Sequence, residues 1–434
     1  MLIYTLQRAH IPFHHDSLYY WELGGSFYSN DRFSLLNFGD GLRGYLFPFL
    51  LYLVQIQAGL FGADARVLFA VYSAMAFSVF AMCIVPWSFG TIFRWKTNTL
   101  SRILFALLLF LFWRGHFVYP LTDFPAFASL LMGVTMLVEV LRDQKRFLWL
   151  AIAGFFAAAA INIRPAYQIS ILIVFVSSLV GLGKIGIRRL SLALLLFCLG
   201  CGGALFPQVL INREHFKSNS PLVLAKYLDE STIYEVQLFW GLKTQKYETN
   251  IGEGYPFAGV VYSDPLALKL PRKESHKKTF PNYLRIVSQI PLDLAISYFR
   301  HAFNGLDIFH PTPYVRNVFA DHFLFSLANY VIWFLLLYRV LHSNSPNPDS
   351  VNLVVVSSML APVLLAIPTV VEVRFFLPAY ILAYAVISFG FDFKELTVSF
   401  MENRWHLLRF LVLCLSWIMI CFTLSAGTME QLVR

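Results

Sequence analysis

Residues 119–127, YPLTDFPAF, lie between two strongly apolar runs, 103–113 and 124–138. Whether those runs are membrane spans or soluble core decides the fold, and the carboxylate of Asp123 in the gap is the obstacle. An ionised side chain beside lipid is costly and needs a compensating role. Composition settles the runs first. The chain has 434 residues, 58% hydrophobic and 14% charged. A soluble fold of that length cannot hide so much apolar side chain, because its surface must still meet water. Several windows of 18 or more residues carry almost no charge, the pattern of membrane-crossing helices. The expectation is an all-α polytopic membrane protein with Asp123 in a short turn at one membrane face.

About ten spans of roughly 20 residues each follow from this reading: 66–90, 101–118, 124–141, 147–163, 166–183, 189–211, 321–340, 351–369, 375–392 and 407–425. Basic residues orient them. One set of short connections holds Arg94, Lys96 and Arg102; Arg142, Lys145 and Arg146; Lys184, Arg188 and Arg189; Arg339; and Lys394, Arg404 and Arg409. The opposite connections hold only Arg66, Arg114, Arg164 and Arg374. The first set is expected to be cytoplasmic. The net charge of +9 then belongs to cytoplasmic loops and lipid contact rather than to nucleic acid. The five cysteines, Cys83, Cys198, Cys201, Cys414 and Cys421, all fall in apolar runs and read as small hydrophobes.

The predicted organisation is an outer-face region with amphipathic helices at 1–65, a bundle of about six spans at 66–211, a long outer-face loop at 212–320 and a C-terminal bundle of about four spans at 321–434. Segment 45–61 reads as a short re-entrant or surface helix. Within the loop, KLPRKESHKK (269–278) reads as a solvated charged run, and IPLDLAISYFRHAFNGLDIF (290–309) as an interfacial helix leading into the next span. No apolar span precedes residue 44. Residues 1–43 are therefore expected either to follow an upstream helix or to be placed by a rearrangement of the first helices.

Four features on the non-cytoplasmic side carry candidate chemistry. In HHDSLYYWELGGSF (14–27), a helix beginning after Asp16 puts Tyr20, Leu23 and Phe27 on one face with Glu22 pointing away. Asp16 is then either a helix cap or a functional carboxylate. Asp123, before Phe124-Pro125, has the same two readings. Arg164 in INIRPAY either snorkels to headgroups or holds a phosphate through paired hydrogen bonds. Glu372 and Arg374 in PTVVEVRFFLPAY (368–380) are either a mutual ion pair or a phosphate and sugar contact at a cleft rim. The adjacent His14, His15 and Asp16 diverge on any regular element, which disfavours a zinc site from this run alone. No nucleotide-binding, nucleophile-elbow or H-E-x-x-H motif is present.

Taken in order, DSLYYWELGGSF (16–27), RGYLFPFLLYLVQIQAGLFG (43–62), PLTDFPAF (120–127), the Arg164-Pro165 pair after a small-residue-rich span and EVRFFLPAY (372–380) resemble the GT-C superfamily of membrane glycosyltransferases. The likeness is greatest to the polyprenyl-phosphate-sugar enzymes that include protein O-mannosyltransferases and lipid A aminoarabinose transferases. It departs at the N-terminus, where that family usually opens with a transmembrane helix.

The resemblance implies a GT-C-like helical bundle that transfers a hexose or pentose from a polyprenyl-phosphate donor to a lipid, glycan or protein acceptor, with inversion. It implies that Asp16 is the general base or a metal-site carboxylate, and that Asp123 binds a divalent metal (Mg or Mn) or the acceptor. Arg164, Arg374 and Arg43 would hold the donor phosphate, with Tyr20 and Glu372 as secondary sugar or acceptor contacts. The expected place is a bacterial inner membrane, with the site facing the periplasm. The competing classes are a transporter or flippase and an O-antigen polymerase or ligase. Charges at span ends rather than mid-span, and the absence of an inverted repeat, weigh against a transporter.

Overall fold

Backbone groups in hydrocarbon have only each other as partners, so uninterrupted apolar segments become helices. The computed structural model describes all residues except 144–147, 183–186, 227–230, 271–277, 343–348, 392 and 434. The basic residues Lys145, Arg146 and Lys184, and most of the run 269–278, lie outside the described residues.

The chain opens with α1 (Leu2–Leu6), α2 (His15–Gly25), the two-residue strands β1 (Tyr28–Ser29) and β2 (Arg32–Phe33), and α3 (Leu46–Phe61). Then come α4 (Ala65–Val79), α5 (Val85–Phe93), α6 (Thr99–Trp113), α7 (Asp123–Arg142), α8 (Trp149–Ile163), α9 (Gln168–Leu182) and α10 (Ile187–Phe216). Next come α11 (Ile233–Gly241), β3 (Thr244–Asn250), β4 (Gly259–Ser263), α12 (Phe280–Gln289), α13 (Pro291–Leu306) and β5 (Tyr314–Val315). The chain ends in α14 (Phe323–Leu341), α15 (Ser350–Ala366), α16 (Leu377–Ala385), α17 (Phe393–Glu402) and α18 (Arg404–Met429).

The protein is a polytopic helical membrane bundle. Among the described residues, seven helical segments are long and apolar enough to cross a membrane: Ala65–Phe93, Thr99–Phe117, Asp123–Arg142, Ile187–Phe216, Phe323–Leu341, Val373–Gly390 and Arg404–Met429. The expected spans at 147–163, 166–183 and 351–369 appear as apolar helices of 15, 15 and 17 described residues. At 1.5 Å per residue these reach about 22–26 Å, short of a hydrocarbon core of about 30 Å. Strands are confined to short pieces. In 212–320, β3 pairs antiparallel with β4 and parallel with β5, in the order β4-β3-β5.

Two compact units are woven from discontinuous stretches. The first comprises Met1–Thr97, Trp113–Ile233 and Pro348–Pro362; the second comprises Asn98–Phe112, Tyr234–Asn347 and Val363–Arg434. In the first unit α8 packs between α7 and α10. Small residues permit it: a Cβ at Gly200 would lie 1.8 Å from the Ala151 carbonyl oxygen, the close backbone approach that stabilises helix pairs in lipid. Phe27, Phe38, Tyr45, Tyr52 and Ile211 form an aromatic core under the N-terminal segment. The second unit buries Leu238, Phe239, Leu242, Leu266, Tyr283, Ile286 and Leu294 around α11, α12 and α13.

Candidate functional site

The first unit gathers four of the predicted site residues at one junction. Pro165 disfavours helical backbone at the residue before it, and Arg164 is extended there, with φ −146° and ψ 105°. The turn between α8 and the short helix 165–167 therefore presents the Arg164 guanidinium to the first residue of α7, Asp123. Arg164 Nη1 donates to Asp123 Oδ1 in a close ion pair. Asp123 opens α7, but its carboxylate serves this pair, so the cap-only reading fails. The residue is 2% exposed. Its second oxygen, Oδ2, is buried and has no hydrogen-bond partner among the described residues. A buried carboxylate oxygen without a donor is expensive and marks a place where a ligand can add one.

Asp16 is not a helix cap either. The helix starts two residues earlier than expected, at His15, because Ser17 at its third position accepts from the His14 amide at 3.1 Å. Asp16 faces Arg43, whose Nη2 lies 3.1 Å from Oδ1. The Arg43 guanidinium also sits 5.4 Å from the Tyr20 ring centre, and Tyr20 packs edge-on against Phe47. Tyr20 is thus a buried wall of the Arg43 side chain, and Glu22 is exposed as expected.

Asp40 organises this corner and was not anticipated. Its Oδ1 accepts from the amides of Leu42 at 2.6 Å and Arg43 at 2.7 Å, a local side-chain turn typical of aspartate. Its Oδ2 accepts a short bond from Tyr19 Oη. Burial, and then this bond, push the Tyr19 hydroxyl up to about 12.

The next residue, Gly44, joins the two ion pairs. A Cβ there would lie 1.9 Å from the Asn162 carbonyl oxygen, so only glycine fits. Asn162 Oδ1 accepts from Leu46 N at 3.0 Å, its Nδ2 donates to Gln208 Oε1 at 2.9 Å, and Gln208 Nε2 donates to Asn212 Oδ1 at 2.9 Å. Arg43 is thus one residue from Gly44, and Arg164 two residues from Asn162, on either side of a single backbone contact. The polar chain through Asn162, Gln208 and Asn212 is buried and ends on the Ser220 and Leu222 carbonyls, which accept from Asn212 Nδ2, and this network fixes the junction.

Glu372 and Arg374 belong to the second unit. Arg374 Nε donates to Glu372 Oε2 at 2.6 Å, so the mutual ion pair is formed. The second unit also holds two buried polar centres that the sequence did not suggest. In one, Asp264 accepts from Arg300 Nη2 at 2.5 Å and Leu266 N at 2.8 Å on Oδ1, and from Ser297 Oγ at 2.9 Å and Arg300 Nε at 3.2 Å on Oδ2. His301 points Nδ1 at the Ile367 carbonyl, 2.7 Å away. The residue types of a hydrolytic triad are present, with Ser297 Oγ 3.4 Å from His301 Nε2. The Ser297 hydroxyl, however, donates its shorter bond to Asp264, the imidazole Nδ1 faces a backbone oxygen rather than the carboxylate, and Asp264 is held by Arg300, which is the arrangement of a structural lock. In the other, Lys246 Nζ donates to the Asp307 carbonyl at 2.9 Å, lies 3.5 Å from Glu248 and sits over the Phe309 ring. Tyr330 Oη donates to Asp307 Oδ1 at 2.8 Å, and burial raises the Asp307 carboxyl.

No three His, Cys, Asp or Glu side chains come together as a metal site among the described residues. A divalent ion at Asp123 would take one carboxylate oxygen, Oδ2, with the remaining ligands from water and substrate, a donor set that suits Mg more than a fully protein-built cage. Family models, curated proteins and solved structures were all compared with this chain, and none matches.

Proposed function

We propose that this membrane protein is a glycosyltransferase that moves a sugar from a polyprenyl phosphate to an acceptor hydroxyl, with inversion, at the non-cytoplasmic face of a bacterial inner membrane. The observation that carries the reading is the pairing of each candidate carboxylate with a candidate arginine in one unit, Asp16 with Arg43 and Asp123 with Arg164, while Asp123 Oδ2 stays buried and unfilled. In the proposed step the acceptor oxygen attacks the anomeric carbon, the bond from that carbon to the phosphate oxygen breaks, and the acceptor proton passes to a carboxylate. Asp123 Oδ2 has the open acceptor position for that proton, and Asp16 is the second candidate base. The leaving phosphate gains charge, and guanidinium groups stabilise it. Arg43 and Arg164 are the candidates for that role, since a planar guanidinium suits the paired acceptor oxygens of a phosphate. A divalent ion held at Asp123 Oδ2 would instead occupy that proton-accepting position, add positive charge beside the phosphate and leave Asp16 as the base.

The test is transfer of radiolabelled sugar from polyprenyl-phosphate donors in membranes carrying wild type, Asp16→Asn or Asp123→Asn, with insertion checked. Transfer by wild type and its loss in both properly inserted variants supports the proposal. Near-normal transfer in both variants overturns the site. A wild type that transfers no sugar from any donor, yet moves lipid-linked sugar across the bilayer, makes the transporter reading the better one.

A further inference from the structure

Helix α13 is built inside out. Its buried face carries Ser297, His301 and Asn304 together with Leu294 and Gly305. Its exposed face carries Leu292 at 80%, Ile296 at 57% and Phe299 at 65% exposure, spaced i, i+4, i+7 along one stripe. In water a helix turns its apolar stripe inward. Here the polar stripe is turned inward, and every polar group on it is used. Ser297 and Arg300 hold Asp264, His301 bonds the Ile367 carbonyl, and Asn304 donates to Gln245 Oε1 at 3.2 Å. The helix is therefore fixed in this rotation by its partners, and the apolar stripe cannot roll under.

Two partners of this face, Thr428 and Ile367, also set its level. Asn304 Oδ1 accepts from Thr428 Oγ1 at 2.8 Å, and Thr428 lies in the last turn of the 26-residue spanning helix α18. Ile367 directly follows the apolar helix α15. An element bonded to the ends of membrane helices sits at the depth where those helices leave the hydrocarbon. Phe280 and Leu284, one turn apart on the neighbouring α12, are exposed beside the exposed Lys278 and Arg285, the apolar-plus-basic pattern of a surface that meets headgroups.

We infer that α13, flanked by α12, is a lipid-docked helix of the same bilayer that the spanning helices cross, with Leu292, Ile296 and Phe299 immersed at the boundary between headgroups and acyl chains. This does not depend on the glycosyltransferase reading. The test is nitroxide labelling of Leu292→Cys, Ile296→Cys and Phe299→Cys, with the five native cysteines replaced, in proteoliposomes. Gln289→Cys on the polar side of α12 is the control. The expected result is a ratio of oxygen to aqueous nickel-chelate collisions several-fold higher at the three α13 positions than at the control. An equal ratio means the stripe faces water, and low access to both reagents means a second copy or another protein covers it; either overturns the inference. Should the cysteine-free chain fail to insert, Phe299→p-benzoylphenylalanine in the natural chain decides by mass. A lipid adduct supports the docking, and a protein adduct or none overturns it.

Discussion

Asp123 in the first unit and Asp264 in the second are both buried carboxylates facing an arginine, and they differ at the second oxygen. Asp264 receives four hydrogen bonds shared over both oxygens. Asp123 receives its ion pair on Oδ1, and Oδ2 has no partner among the described residues. A saturated carboxylate has no capacity left for a proton or a ligand, so Asp264 stabilises. An unsaturated one retains an unmet acceptor that the fold tolerates only at a cost. Asp307 Oδ2 shares that state, and it is the pairing of Asp123 with Arg164 beside Asp16 and Arg43 that makes Asp123 the place where chemistry is expected. Residue type and burial do not separate the two; the count of donors does.

The largest effect expected from breaking this contrast is at the saturated site. Asp264→Ala strips the partner from Arg300 and Ser297. Removing one member of a buried ion pair costs about 3–5 kcal/mol, here toward the lower figure because the Arg300 side chain is 27% exposed and partly solvated. Thermal unfolding in detergent should show a large drop in midpoint. An unchanged midpoint would mean the four bonds are not all formed.

Next comes pH, again in the second unit. His310 and His322 meet edge to face, with ring centres 4.2 Å apart, and Glu248 and Lys246 are the charges that act on both. Burial pushes His310 down from 6.5 to about 4, and it lowers His322 too. Between those values the unfolded chain binds a proton that the folded His310 does not. Stability is therefore full above pH 6.5 and falls as pH drops toward 4, by up to about 3 kcal/mol. His310→Gln should flatten that slope in unfolding midpoints measured across the window, and an unaltered slope would show that His310 is not its source.

A smaller effect tests the junction in the first unit. Gly44→Ala drives a Cβ into the Asn162 backbone, and overpacking of this kind costs about 1–3 kcal/mol. Because Gly44 adjoins both ion pairs, the variant should lose sugar transfer beyond what its midpoint explains. A variant with wild-type midpoint and transfer would mean the two segments do not approach as described.

Much of the bundle was legible because apolar runs of spanning length have few alternatives. Asp16, Arg43, Asp123 and Arg164 were also legible as isolated charges at the ends of apolar segments. Their pairing was not. Arg164 reaches Asp123 across 41 residues and Arg43 reaches Asp16 across 27, and no local pattern encodes such partners. Asp40 was passed over because an aspartate near glycines reads as an ordinary turn former, which it also is. A buried amide in an apolar helix needs a partner, and Asn162 finds Gln208 46 residues away. In 290–309 the apolar spacing was legible as a helix. Arg300 and His301 looked like breaks in that pattern, and they mark the face that turns inward. The polar alternation of Thr244–Asn250 gave little sign of the strand that centres the second unit's sheet.

The central claim is that Asp123 reacts while Asp264 only stabilises. Its most direct test measures sugar transfer per folded molecule and unfolding midpoint for Asp123→Asn and Asp264→Asn side by side. The account predicts that Asp123→Asn loses about 100-fold or more in transfer per folded molecule, the scale of a lost general base, together with a lower midpoint because its pair with Arg164 is also buried, and that Asp264→Asn loses midpoint while its folded fraction still transfers. Asp123→Asn transferring at the wild-type rate would contradict it.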